Sequence, residues 1–264
     1  MTANQLNIVQ DYITVAKNAV FEAGQIALSF EQKNFKSWYK SENQPVTEVD
    51  IKVNNYLKKK LKNITPNFGW LSEESVDDKS RLSKKYFWCL DPIDGTRSFI
   101  NGKPEYTISL ALMEGQNPII GIIYNPRTNE MFSAKKNHGS FCNENKISVE
   151  DKDINESKVA LSNSEFRILK KYKKFSKLKT VIIGSIAYKI ALVAKGEIDI
   201  ALSFTKKNDW DLAAGSLIIE EADGYISEMN GKKIIYNSND LLIPSIIATN
   251  KRNHKKLIEN LLVK

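Results

Sequence analysis

Histidine is nearly absent from this chain: His138 and His254 are the two among 264 residues. That speaks against a zinc site built on imidazole, and both histidines read as surface residues. Cysteine is as scarce. Cys89 and Cys142 make no disulfide framework, Cys89 falls in an apolar run as a small core filler, and the usage suits a reducing compartment. No apolar run approaches the ~20 residues of a membrane span, so a spanning helix is excluded. Met1-Thr2-Ala3-Asn4-Gln5 has neither the basic start nor the apolar stretch of a secretory signal, and a cytoplasmic location is expected. Internal repeats and low-complexity tracts are missing too.

What is present is a chain rich enough in apolar residues (42%) for a sizeable core, arranged as one large domain or two packed halves. The formal net charge is +8, from 39 basic and 31 acidic residues, which suits nucleic acid or a phosphorylated substrate. Much of the excess is local: Lys170, Lys171, Lys173, Lys174, Lys177 and Lys179, interleaved with Tyr172 and Phe175. A solvated lysine-rich helix is the simpler reading and an RNA-binding patch the other.

Apolar residues at helical spacing predict a long amphipathic helix from about Val9 to Phe30. Residues 31–44 read as irregular or short-stranded. Thr47 with Asp50 three residues on starts a second helix in the manner of a capping box, which accounts for Asp50 without any chemistry. A helix start also points an acid and free amides toward a charged pocket. Phe68-Gly69-Trp70-Leu71 reads as a short strand running into Ser72-Glu73-Glu74-Ser75, and residues 76–85 as a charged surface connection. Strands follow within 106–142 as a meander, so the first half is helices on a mostly antiparallel sheet. A polar stretch over 143–157 suggests a boundary between an N-terminal half (1–145) and a C-terminal α/β half (146–264). In the latter, Gly184-Ser185 opens a helix, and Asn208 or Asp209 caps another that carries Asp211.

Tyr86-Phe87-Trp88-Cys89-Leu90-Asp91-Pro92-Ile93-Asp94-Gly95-Thr96 draws the most attention. An apolar run reads as a buried strand that stops at Asp-Pro, because proline cannot donate to a sheet ladder. Asp91 and Asp94 sit three apart, with a glycine amide and a threonine hydroxyl beside them. Asp, Pro and Gly are also ordinary turn formers. Four acids at element ends, Glu73, Asp91, Asp94 and Asp211, make an all-oxygen cage suited to magnesium or manganese.

These residues resemble the magnesium-dependent, lithium-sensitive inositol monophosphatase family. The blocks are Pro45-Val46-Thr47-Glu48-Val49-Asp50, Ser72-Glu73-Glu74-Ser75, Asp91-Pro92-Ile93-Asp94-Gly95-Thr96 and Trp210-Asp211-Leu212-Ala213-Ala214-Gly215, in family order across nearly the whole chain. The resemblance implies a layered αβαβα fold of the inositol monophosphatase and fructose-1,6-bisphosphatase type, an α/β (α+β) class. It implies that Glu73, Asp91 and the Ile93 carbonyl hold one magnesium ion and Asp91, Asp94 and Asp211 a second. Glu73 would support a third, looser ion carrying the attacking water. Glu73 and Thr96, with Asp50 oriented on Thr96, would deprotonate that water. Amides of Gly95 and Thr96 would hold the phosphate, with Lys40 nearby. A homodimer is expected from the same likeness.

The leaving group is less legible. Inositol-hydrolysing members carry a glutamate seven residues before the aspartate that follows the tryptophan; here that position is Phe204. Lys206 and Lys207 lie close by and suit a second phosphate or a solvated loop. With Gly184 and Ser185 they complete the expected substrate contacts. The reading leans to a 3′(2′),5′-bisphosphate nucleotidase, with inositol-1-phosphate phosphatase next and histidinol phosphatase after it. An RNA- or RNA-polymerase-binding regulator is the alternative of a different class, with nucleic acid not expected as the main partner.

Overall fold

The computed structural model describes residues 3–31, 33–42, 44–169, 171 and 178–262. Most of the lysine-rich segment, Lys170, Lys173, Lys174 and Lys177 with Tyr172 and Phe175, lies outside the described residues.

In chain order, α1 (Ala3–Leu28) precedes a hairpin of β1 (Ser37–Ser41) and β2 (Gln44–Thr47). Helix α2 (Glu48–Ile64) leads to β3 (Gly69–Ser72), β4 (Tyr86–Asp94) and the short α3 (Thr96–Ile100). A meander follows: β5 (Thr107–Glu114), β6 (Asn117–Asn125), β7 (Glu130–Lys135), β8 (Ser140–Cys142) and β9 (Asn145–Ile147). Then come β10 (Lys158–Leu161), α4 (Asn163–Leu169), β11 (Lys179–Ile182), α5 (Ile186–Ala194) and β12 (Ile200–Ser203). The chain continues through β13 (Lys207–Asn208), α6 (Asp209–Glu220), β14 (Gly224–Ser227), β15 (Leu242–Ile243), β16 (Ile246–Asn250) and α7 (Lys251–Leu262).

Strands β3 to β9 form one sheet in sequence order, antiparallel except for the parallel β3–β4 pair. A second sheet runs β11-β10-β12-β16-β14, parallel around β10 and antiparallel beyond β12. Strand alternation sorts the core into layers. On β4, Trp88 and Leu90 join Val20, Val53 and Leu57 of α1 and α2, while Phe87 and Cys89 face the cluster holding Ile190, Leu217 and Ile218 of α5 and α6. On the second sheet Ala160, Ala201 and Ala248 meet that same central cluster. Their neighbours Val159, Leu161, Ile200 and Ile247 turn outward to Leu169 of α4 and Leu257 of α7. The result is helix, sheet, helix, sheet, helix, as the αβαβα expectation has it.

The central layer is tight. A Cβ built on Gly121 of β6 would stand 2.6 Å from the Ala214 carbonyl oxygen of α6, so only glycine allows the helix to lie this close.

Three expectations need correction. Strand β4 does not stop at Asp91-Pro92. It continues to Asp94, with the register against β5 slipping between Asp91 and Asp94. A bulge is one place where a sheet tolerates proline, and it re-aims the side chains around it. Residues 76–85 are not wholly a surface connection, because Arg81 is fully buried. His254 is half-buried, bonded to Ser227 Oγ at 2.7 Å.

Candidate active site

Three elements deliver the acids to one point. Glu73 sits just past β3, Asp91 at the β4 bulge and Asp211 in the first turn of α6. One carboxylate oxygen from each lies within 4.8 Å of the other two. Two like charges about 4 Å apart repel by roughly 4 kcal/mol at an effective dielectric of 20. Such a trio requires positive charge. The chain itself offers Lys40, whose Nζ lies 2.9 Å from Glu73 and 2.6 Å from Glu74.

The carboxyl groups register the strain. Burial, then the charges of Glu73, Asp94 and Asp211, push Asp91 well above the carboxylate range. Burial, then Asp94 and Glu73, push Asp211 up to about 7. Asp94 lines the same cleft outside the tight trio. Burial raises it to about 6, opposed by Ser185 Oγ and the Ala187 amide, which both donate to Oδ2. An all-oxygen donor set whose ionised form is disfavoured without a cation fits a hard divalent ion. Asp91 Oδ1 also accepts the Ile93 amide at 3.0 Å, which fixes that carboxylate and the Ile93 peptide together.

Asp50 does two things at once. Its Oδ2 accepts the Thr47 amide at 2.8 Å, closing the capping box of α2. Its Oδ1 receives the Thr96 hydroxyl at 3.2 Å. Gly95, at φ +97, turns the chain so that Thr96 follows the bulge directly. A Cβ there would press the Glu105 carbonyl at 2.9 Å as well as straining the backbone.

The cleft around these groups has a volume of about 780 Å³. Gly95, Thr96, Gly184 and Lys207 line it, as do Arg97, Lys103 and Arg167. Other expected contacts fall elsewhere. Lys206 is exposed and does not line the cleft, Phe204 packs on the outer core with Val159 and Leu202, and the Ser185 hydroxyl is turned to Asp94 and caps α5. Sequence reading passed over Lys103 and Arg167. Arg167, 44 residues before Asp211, rides on α4, which carries no signal of its own.

The fold and this acid cluster define a metal-dependent phosphatase class. A family model, "Inositol monophosphatase family", matches residues 8–262. The chain is 32% identical over 202 residues to the Escherichia coli 3′(2′),5′-bisphosphate nucleotidase CysQ, covering 75% of this chain and 81% of that protein. It is 31% identical over 192 residues to the Thermotoga maritima fructose-1,6-bisphosphatase/inositol-1-monophosphatase, covering 71% and 73%. Among solved structures, the extragenic suppressor protein suhB of Bartonella henselae superposes with a TM-score of 0.86 at 25% identity, covering 96% of this chain and 99% of that one. The chain belongs to the inositol monophosphatase family, and it is a phosphoric monoester hydrolase. No described helix is long and apolar enough to cross a membrane.

Proposed function

We propose that this protein is a magnesium-dependent 3′(2′),5′-bisphosphate nucleotidase. The observation that carries this reading is the cleft's lining. Glu73, Asp91, Asp94 and Asp211 line the cleft together with Arg97, Lys103, Arg167 and Lys207, which bring positive charge to it. A cleft of about 780 Å³ lies inside the ~300–1,000 Å³ range of small-molecule sites and has room for a nucleoside carrying two phosphates. The similarity to the Escherichia coli nucleotidase supports the same choice.

In this reading Glu73, Asp91, the Ile93 carbonyl, Asp94 and Asp211 hold the divalent ions. When bound, such ions neutralise a phosphate dianion and make water nucleophilic at neutral pH. The rest belongs to the chain. Thr96 has one hydroxyl proton and two acceptors near it, Asp50 Oδ1 at 3.2 Å and the Ile93 carbonyl at 3.0 Å. As the attacking water gives a proton to the Thr96 oxygen, the Thr96 hydroxyl proton passes to the Asp50 carboxylate, which ends neutral. Amides of Gly95 and Thr96, in the first turn of α3 where intrahelical partners are lacking, hold phosphate oxygens. Attack is direct and in line, with no covalent enzyme intermediate.

The second reading is inositol 1-phosphate hydrolysis. Ser162, Asn163 and Ser164 line the cleft and offer hydroxyl and amide groups to a polyol ring. A phosphate-release panel with magnesium separates the two. The nucleotidase reading expects 3′-phosphoadenosine 5′-phosphate to exceed both inositol 1-phosphate and adenosine 3′-monophosphate in kcat/KM. It also expects Arg167→Ala and Lys207→Ala to raise KM for the bisphosphate while sparing inositol 1-phosphate. Higher kcat/KM on inositol 1-phosphate would overturn it.

A further inference from the structure

Arg81 is fully buried in a segment otherwise written for the surface, and its hydrogen bonds join two distant parts of the chain. Nε and Nη2 donate to the Asp77 carboxylate at 3.0–3.3 Å. Nη1 donates to Asn237 Oδ1 at 2.5 Å, and Nη2 to the Ser238 carbonyl at 2.9 Å. Asn237 in turn sits at φ +56 and gives its backbone amide to Asp209 Oδ2 at 2.6 Å. Asp209 is buried and opens α6, two residues before Asp211. At the other end, Asp77 and Arg81 follow the turn that carries Glu73 out of β3. The Arg81 backbone also rests against β3: a Cβ on Gly69 would lie 3.0 Å from the Arg81 Cα.

The chain of contacts therefore runs from the Glu73 segment through Arg81, Asn237 and Asp209 to the helix start that presents Asp211. We infer that Arg81 is a positioning residue that sets the spacing of Glu73 and Asp211, acting through Asn237 and Asp209. The inference rests on the reading of Glu73, Asp91 and Asp211 as a divalent-ion site. A planar guanidinium suits the task, since it meets a carboxylate, an amide oxygen and a carbonyl in fixed directions that an ammonium cannot reproduce. Groups that orient metal ligands commonly change metal affinity about 10–100-fold when altered.

The test is direct Mn²⁺ binding by isothermal titration calorimetry on the full chain, with circular dichroism to establish folding. Asn237→Gly keeps the positive φ and the amide to Asp209 and removes only the Arg81 acceptor. It should weaken Mn²⁺ binding about 10–100-fold while the metal-free fold is kept. Asn237→Asp restores an acceptor and should bring affinity back toward wild type. Arg81→Lys should behave as Asn237→Gly does; should it fail to fold, the Asn237 pair carries the test. Wild-type Mn²⁺ affinity in folded Asn237→Gly overturns the positioning role and leaves the metal site standing. Absence of Mn²⁺ binding by the wild type overturns both.

Discussion

The Thr96 hydroxyl lies 3.2 Å from Oδ1 of Asp50, a residue whose other carboxylate oxygen closes the N-terminal cap of α2. One aspartate thus ties the start of a helix to the threonine beside the acid cluster. Asp50 is buried, and desolvation pushes its carboxyl up to about 6 against the Thr47 hydrogen bonds. In the proposed mechanism the hydroxyl, not the methyl, takes part. Thr96→Val should lower kcat by about 10²–10⁴-fold, the usual range for removing a positioned proton acceptor. Thr96→Ser should recover most of it, and phosphate-release kinetics reads both.

Carboxylates packed for a cation destabilise the protein without one. Asp91 and Asp211 have folded-state values above the ordinary carboxylate value of 3.8. The sign follows: the metal-free fold binds these protons more tightly than the unfolded chain. It therefore loses stability as pH rises from about 4 through the folded Asp211 value of about 7. In chelator at pH 8, Asp91→Asn should melt higher than wild type, on the order of 2–4 °C per kcal/mol of repulsion relieved. Saturating Mg²⁺ should raise the wild-type Tm and leave the variant nearly unmoved, with activity lost. Calorimetric scans with and without the ion check this.

A second buried ion pair lies off the cleft. Lys189 Nζ is 2.7 Å from Glu165, and both side chains are about 1% exposed. Burial raises Glu165, but Lys189, the Ser203 hydroxyl and the Ser162 amide outweigh it and bring the carboxyl from 4.5 to about 2. Lys189 falls too, because burial disfavours its ammonium more than Glu165 restores it. The pair as a whole therefore stabilises less than Glu165 alone suggests. The Glu165 contribution is present above pH 4.5 and is lost as pH drops toward about 2. Glu165→Gln strands a buried ammonium and should cost about 3–5 kcal/mol, whereas Glu165→Leu with Lys189→Met should be near neutral. Urea titrations of the single and double variants measure the difference.

The contact of β6 with α6 allows no side chain. Gly121→Ala would drive a methyl to 2.6 Å from a backbone carbonyl, which cannot swing aside. A loss of about 1–3 kcal/mol is expected. Because α6 presents Asp211, magnesium affinity should weaken with it; a chemical-denaturation curve and a metal titration test the two effects.

The amino-acid sequence alone carried the acids and their neighbours. Asp91, Asp94, Gly95 and Thr96 are adjacent in the chain, and Thr47 and Asp50 are held by a local helix start, so short-range chemistry was enough to mark them. The alternation along β4 and the 3.6-residue spacing in α1 and α2 likewise encode their own layer. Other features are set by contacts far apart in the chain, which leave no periodic trace. Arg81 reads as one more charge in a polar segment until a partner 156 residues away buries it. Lys206 and Lys207 look equivalent as neighbours, yet only Lys207, at the start of β13, lines the cleft. Successive residues of an extended chain face opposite ways, and the pairing of β13 with β15 chooses which one faces in. Arg167 reaches the same cleft on a helix from another part of the chain. Which cations line the cleft was therefore decided by packing, as was the meeting of Glu73 and Asp211 with Asp91, while Asp91, Asp94, Gly95 and Thr96 were already written within six residues.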